Sequence, residues 1–317
     1  MSPRARVFFV VALAAVVASG VVVIGVLATR SNVPTVKPRP GTPPLALDFG
    51  LRTDAEARAL EHAATLYNNH RQKEAGPIFE RYHSVEADIG SAFVAWPADT
   101  VKRLQTLAAE HPKSSVVALH LGFALYWSRR DQEAQTAWSA AKKLQPDTPY
   151  AVRAGDVLYP RFIPELPVFV PSFEPPARIR ALSPARQVAV LKEAARTDGA
   201  DAKILYGVAL QRLSHPISAE RAFAAAARES PNDPEARVAA AVGLFDKANP
   251  AKAFSRLGPL VRVFAHAQTV RFHLGLLLLW IREFPKAREE LRKARAEGPE
   301  TPLGKQASRL LQALGTR

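Results

Sequence analysis

An all-α fold, a solenoid of stacked helix pairs behind one N-terminal transmembrane helix, is what this 317-residue sequence predicts. Three observations carry the prediction. Four blocks of the chain share a period of 34 residues, residues 7–28 hold no charged side chain, and cysteine is absent. The last point leaves helix stacking without disulfides or thiolate-bound metal. It also removes a Cys nucleophile, c-type haem attachment and a lipid-bearing cysteine, so any membrane attachment is peptidic.

Taken in chain order, residues 1–6 are a short tail carrying Arg4 and Arg6. Residues 7–28, VFFVVALAAVVASGVVVIGVLA, contain Ser19 as their one polar side chain. A helix of that length is about 33 Å long and matches a hydrocarbon core of ~30 Å. The run exceeds the usual apolar region of a cleavable signal peptide, yet Val26-Leu27-Ala28 offers a small-x-small end, so cleavage near Ala28, giving an exported soluble protein, stays open beside a retained single-pass anchor in the lipid bilayer. A short tail before a long domain favours a cytoplasmic N-terminus and an extracytoplasmic solenoid. Residues 29–53 follow as a proline-rich linker with prolines at 34, 38, 40, 43 and 44, and a stretch of this kind in polyproline II form is a spacer.

The helical solenoid is expected over residues 54–317. Blocks 200–233, 234–267 and 268–301 follow one another without a gap, and block 115–148 has the same internal phase. Small residues recur at the eighth place (Gly122, Gly207, Ala241, Gly275) and leucine at the eleventh (Leu125, Leu210, Leu244, Leu278). Alanine holds the twentieth (Ala134, Ala219, Ala253, Ala287) and bulky apolar groups the twenty-fourth (Trp138, Phe223, Leu257, Leu291). Each block has two runs of helical periodicity parted by a polar break, so each is a helix pair. Small side chains at the eighth and twentieth places let the two helices approach, and the bulky ones fill the space beside that contact. One pair cannot bury its apolar face alone, whereas stacked pairs can.

Elsewhere the pattern loosens. Residues 54–114 hold two degenerate units: the first starts near Glu56 and carries Ala75, Phe79 and Tyr82, while the second has Asp88 where a small eighth residue is expected. Residues 149–199 are a unit opened by an insert, with helices expected over 149–158 and after Ser183, which caps a helix bearing Pro184 in its first turn. Residues 302–314 read as a capping helix.

Chemistry-bearing motifs are missing. No phosphate-binding loop, dinucleotide fingerprint, HExxH, GxSxG or acidic calcium loop occurs, and the eight histidines never pair at metal-ligand spacing. His120 and His273 share the sixth place of their units and read as packing or surface residues. No catalytic residue, metal site or cofactor is therefore expected. The net charge of +14 is spread thinly beyond the tail and linker, and Arg288, Arg292 and Arg295 line one side of a helix as a solvated face. Aromatic groups do not interleave with the charge, so no nucleic-acid partner is expected.

These residue types at these places resemble the tetratricopeptide repeat (TPR) family, whose unit is a 34-residue helix-turn-helix. The resemblance spans residue 54 onward and implies a right-handed superhelix that acts as a protein-interaction scaffold, in the manner of membrane-anchored bacterial TPR proteins serving envelope assembly, secretion or complex maturation. It also implies a concave groove lined by first-helix places two, five, nine, twelve and thirteen. In one unit these are Val116, Leu119, Phe123, Tyr126 and Trp127, and in the last unit Thr269, Phe272, Leu276, Leu279 and Trp280. The groove so drawn is apolar. Apart from Arg212 it lacks the basic groups of the family's carboxylate clamp, and the alternative is that the same side chains pack within the superhelix or against the insert. Its expected occupant is a protein or peptide partner, with a peptide or small apolar ligand, carried or sensed, as the alternative.

The insert, PRFIPELPVFVPSFEPP over residues 160–176, has six prolines and cannot be helix or central strand. It also has too much apolar surface to stay solvated, so it must pack on something. Phe162, Leu166, Phe169 and Phe173 are expected to form a lid over part of the groove or to patch the irregular unit.

Overall fold

The computed structural model describes residues 37–315, so the tail and the apolar segment 7–28 lie outside the described residues. Among the described residues there is no strand, and no helix is long and apolar enough to cross a membrane. The chain divides into two compact units, Met1–Gln145 and Pro146–Arg317.

The first unit stacks three helix pairs: α1 (Ala55–Asn68) with α2 (Gln72–Phe79), α3 (Val85–Val94) with α4 (Thr100–Glu110), and α5 (Ser115–Trp127) with α6 (Asp131–Leu144). Its first helices begin at Asp54, Ser84 and Ser114, whose side chains accept the amides of Ala57, Ala87 and Val117. An N-cap oxygen of this kind satisfies one of the helix's orphan donors. The second unit runs through α7 (Pro149–Leu158), the insert, α8 (Ala177–Arg180), α9 (Pro184–Thr197), α10 (Ala200–Arg212), α11 (Pro216–Glu229) and α12 (Pro234–Gly243). It continues with α13 (Ala251–Leu257), α14 (Leu260–Val263), α15 (Gln268–Trp280), α16 (Phe284–Glu297) and α17 (Pro302–Gly315).

The eighth and twenty-fourth places meet inside each regular pair. A Cβ on Gly122 would stand 2.3 Å from the Trp138 ring, one on Gly207 2.4 Å from Phe223, and one on Gly275 2.9 Å from Leu291. The turn between paired helices is equally uniform. His70, Arg129, Ser214 and Arg282 adopt φ near +60°, and the following amide in each case reaches back 2.9 Å to the carbonyl of Leu66, Leu125, Leu210 or Leu278. This left-handed residue with a six-to-one bond closes a helix end and reverses the chain.

Three expectations are corrected. In the second unit from the N-terminus the first helix starts at Val85, later than a 34-residue count back from Ser115 places it, so Asp88 is not at the helix crossing, and Gly90 instead meets the preceding pair, where a Cβ would stand 2.3 Å from the Phe79 ring. Block 234–267 is not a regular pair: α12 stops at Gly243, and the second helix is cut between α13 and α14, where Pro259 can neither donate its amide nor clear the preceding turn. Ser183 does precede α9, but its side chain makes no capping hydrogen bond.

A long-range cap compensates elsewhere. Asp147 Oδ1 accepts the amides of Ile217 (2.8 Å) and Ser218 (3.0 Å), and its Oδ2 accepts the Ser218 hydroxyl at 2.5 Å, so the start of α11 is capped from a residue before α7. Asp147→Ala is expected to lower stability by about 1–2 kcal/mol, read as a shift in the denaturant midpoint.

Candidate functional site

Each unit holds a proline-rich extended segment of its own chain against the first helices of its pairs. In the first unit the segment is residues 39–46, part of the linker that the composition assigns to a spacer. The spacer reading fails here because these residues find partners for their backbone groups. The Arg39 amide donates to the Trp127 carbonyl (2.7 Å) at the end of α5, and the Ala46 amide donates to His120 Nε2 (3.1 Å) two turns earlier on that helix. Asn68, closing α1, brackets Leu45: its Oδ1 accepts the Leu45 amide (3.0 Å) and its Nδ2 donates to the Leu45 carbonyl (2.8 Å). The Tyr67 hydroxyl donates to the Pro43 carbonyl (3.0 Å). Leu45 is 3% exposed. The Arg39 guanidinium lies 3.8 Å above the Tyr126 ring and pairs with Asp131 at 2.8 Å, which lowers that carboxyl's pKa.

In the second unit the segment is residues 163–170 of the insert. The Ile163 amide donates to the Trp280 carbonyl (3.1 Å), and the Val170 amide donates to His273 Nε2 (3.0 Å). Gln211, near the end of α10, accepts the Phe169 amide at 2.8 Å and donates to the Pro167 carbonyl at 3.3 Å. The Trp280 indole donates to the Glu165 carbonyl (3.2 Å). Phe169 is fully buried, stacked 4.3 Å from the His273 ring and edge-on to Phe223. The bend at Glu165, with φ of +63°, is fixed by Asp156, which accepts the Glu165 amide (2.9 Å) and pairs with the buried Lys247.

The two histidines do one job. A backbone amide only donates, so Nε2 must accept and the ring proton must sit on Nδ1, which donates 2.7 Å to the Val116 carbonyl in one case and 2.7 Å to the Thr269 carbonyl in the other. Complete burial pushes the His273 pKa down to about 3 and keeps the ring neutral. On the same face burial raises the Glu235 carboxyl, which hydrogen bonds with Ser172 and Thr269 oppose.

Of the residues expected to line the groove, Val116, Leu119, Phe123, Phe272, Leu276 and Leu279 are buried, and Thr269 with them. Ile163 and Val170 of the insert pack against the cluster that holds Phe272, Leu276 and Leu279. Tyr126, Trp127 and Trp280 are half-buried and do meet the segments, the tryptophans through their carbonyls. Arg212 is exposed, while its neighbour Gln211 makes the contact. Among the residues expected of the lid, Phe162 and Phe169 are buried, and Leu166 and Phe173 pack partly buried on the core of α10–α15. Sequence reasoning misses His120, His273, Asn68 and Gln211 as contact residues. The available signal is that two units carry histidine at the sixth place and tryptophan at the thirteenth. Among the described residues no group of three or more His, Asp or Glu side chains could hold a metal ion.

Paired helices with a glycine-to-bulky crossing, a left-handed turn and first helices lining one face decide the repeat type. The fold is TPR-like. No family model matches the chain, and no curated protein matches it in sequence. Among solved structures it is similar to human IFIT1 determined as a dimer with m7Gppp-AAAA, at 17% identity and TM-score 0.36, covering 84% of this chain and 64% of that one. Yeast Tom70 is similar at 11% identity and TM-score 0.32, covering 87% and 67%. A tetratricopeptide repeat protein from Parabacteroides merdae matches at 12% identity and TM-score 0.33, covering 82% and 98%. The chain thus spans under two thirds of IFIT1. At these scores the superpositions carry no weight of their own, and the TPR-like fold rests on the chain's helix pairs.

Proposed function

We propose that this chain is a protein-interaction scaffold that works by binding rather than by catalysis, its TPR-like first-helix faces holding extended polypeptide. The observation that carries this reading is the pair of backbone bonds made by each face, to a tryptophan carbonyl and a histidine Nε2, on a segment with almost no regular structure of its own. The apolar run at 7–28 supports a second element, a single-pass anchor that leaves the N-terminus in the cytoplasm and displays the repeats outside it. Envelope assembly, secretion or maturation of a membrane complex would suit a scaffold so placed. Photo-crosslinkers at Tyr126 and at Arg288 test the scaffold: a protein adduct specific to Tyr126 supports it, and equal labelling at the outer helix removes it. N-terminal sequencing of the isolated protein tests the anchor, since a chain beginning at Thr29 would be an exported soluble protein.

An apolar hollow of about 500 Å³ beside the insert, lined by Phe162, Pro250, Ala251, Phe254 and Ile281 with Arg161, favours a second reading as carrier of a small apolar ligand. Native mass spectrometry separates the two, because a carrier isolates with a defined small mass.

A further inference from the structure

The two segments are one motif used twice. Arg39 to Ala46 reads RPGTPPLA and Ile163 to Val170 reads IPELPVFV. Aligned without a gap, prolines coincide at the second and fifth positions and a large apolar residue at the seventh. The third residue has positive φ in both, +83° at Gly41 and +63° at Glu165. Exposure follows the same order along all eight residues, with the fifth and seventh buried in each. The first amide donates to a thirteenth-place tryptophan carbonyl and the eighth to a sixth-place histidine. A side-chain amide from a helix end, Asn68 or Gln211, accepts the seventh amide. Two segments far apart in the chain have converged on one register because the faces demand it.

The geometry points to the face of α1, α3 and α5 being a receptor for an extended peptide of the pattern x-P-x-x-P-x-Φ-x, Φ being a large apolar residue, with residues 39–46 as its resident pseudo-ligand. This rests on the reading of the first-helix faces as peptide-holding surfaces and names the chemistry of the partner. Proline suits such a ligand because it fixes φ, so little conformational freedom remains to be lost, and a polyproline-like segment leaves its backbone groups free for the receptor. Alternating burial gives specificity at the fifth and seventh positions.

The test uses the full chain in detergent with the strap loosened by Arg39→Ser and Leu45→Ser, and a fluorescent peptide copying residues 161–173. Anisotropy is expected to show binding at least tenfold tighter than to the unaltered chain, and N-methylation of the peptide's Val170 nitrogen is expected to weaken it about tenfold, one hydrogen bond's worth. N-methylation at the Leu166 position should weaken it less. A peptide copying residues 37–49 that binds while the 161–173 peptide does not overturns the shared pattern yet leaves the peptide-holding face standing. Failure of both peptides overturns both, as does a shift to dimers by strap exchange with no peptide bound. Should the loosened chain misfold, a full chain with residues 39–46 replaced by IPELPVFV keeps the question open to measurement. It is expected to protect the Ala46-position amide from hydrogen exchange as in the unaltered chain, and loss of that protection rejects the equivalence.

Discussion

Leucine in place of Gly207 is expected to cost about 3 kcal/mol and to lower the calorimetric midpoint of the second unit by about 6–12 °C. Already the Cβ would stand 2.4 Å from Phe223 Cε1 and 2.6 Å from its Cδ1. That ring cannot swing aside: Phe223 is fully buried, and its other face meets the edge-on Phe169 of the insert. The pair must therefore separate, which also loosens the contact between α10 and the insert. Gly155→Ala is the matched control, because no atom lies within 4 Å of its Cβ and alanine is the better helix former. It should raise stability by up to about 1 kcal/mol. Equal losses at Gly207 and Gly155 would mean that helix crossing is not what the eighth place provides.

What periodicity could and could not reveal follows from what it measures. The glycines at 122, 207 and 275 face their twenty-fourth-place partners because both lie within one unit, at a fixed distance along the chain. Gly90 escapes the pattern because the ring it meets, Phe79, belongs to the preceding unit, and Pro259 breaks a helix whose apolar spacing alone looks continuous. The segments 39–46 and 163–170 are harder to read for a different reason. Their burial alternates over only a few residues, prolines mask it, and the groups that fix them, His120 and His273, lie 74 and 103 residues away. Composition separates the two stretches into a polar spacer and an apolar insert, whereas their proline spacing makes them alike. Polar character at Arg39 and Thr42 does not signify solvation, because the backbone supplies most of the recognition and Arg39 lays its guanidinium on Tyr126.

Acidification from pH 6.5 to 5 is expected to weaken the hold of α15 on the insert, through His273. Its folded pKa, about 3, lies below the ordinary value of 6.5, so the folded state resists a proton that the unfolded state accepts. The stabilisation that depends on the neutral ring is complete above pH 6.5 and is lost as pH falls toward 3, at roughly 1.4 kcal/mol per pH unit. Protonation would turn Nε2 into a donor facing the Val170 amide, so the bond that ends the segment's register becomes a repulsion. Because the unfolded ring is already half protonated at pH 6.5, the loss over the interval to pH 5 is about 1.6 kcal/mol, a roughly sixteenfold rise in the exchange rate of the Val170 amide after correction for intrinsic chemistry. Glu235 has the opposite sign, since a raised carboxyl pKa costs stability at neutral pH and restores it on acidification. Comparing the chain with His273→Gln at each pH cancels that contribution, because Glu235 is present in both. The glutamine can still accept the amide but cannot be protonated in this range, so its Val170 exchange should stay level between pH 6.5 and 5. Parallel slopes in the two proteins would show that His273 does not hold the insert as a neutral acceptor.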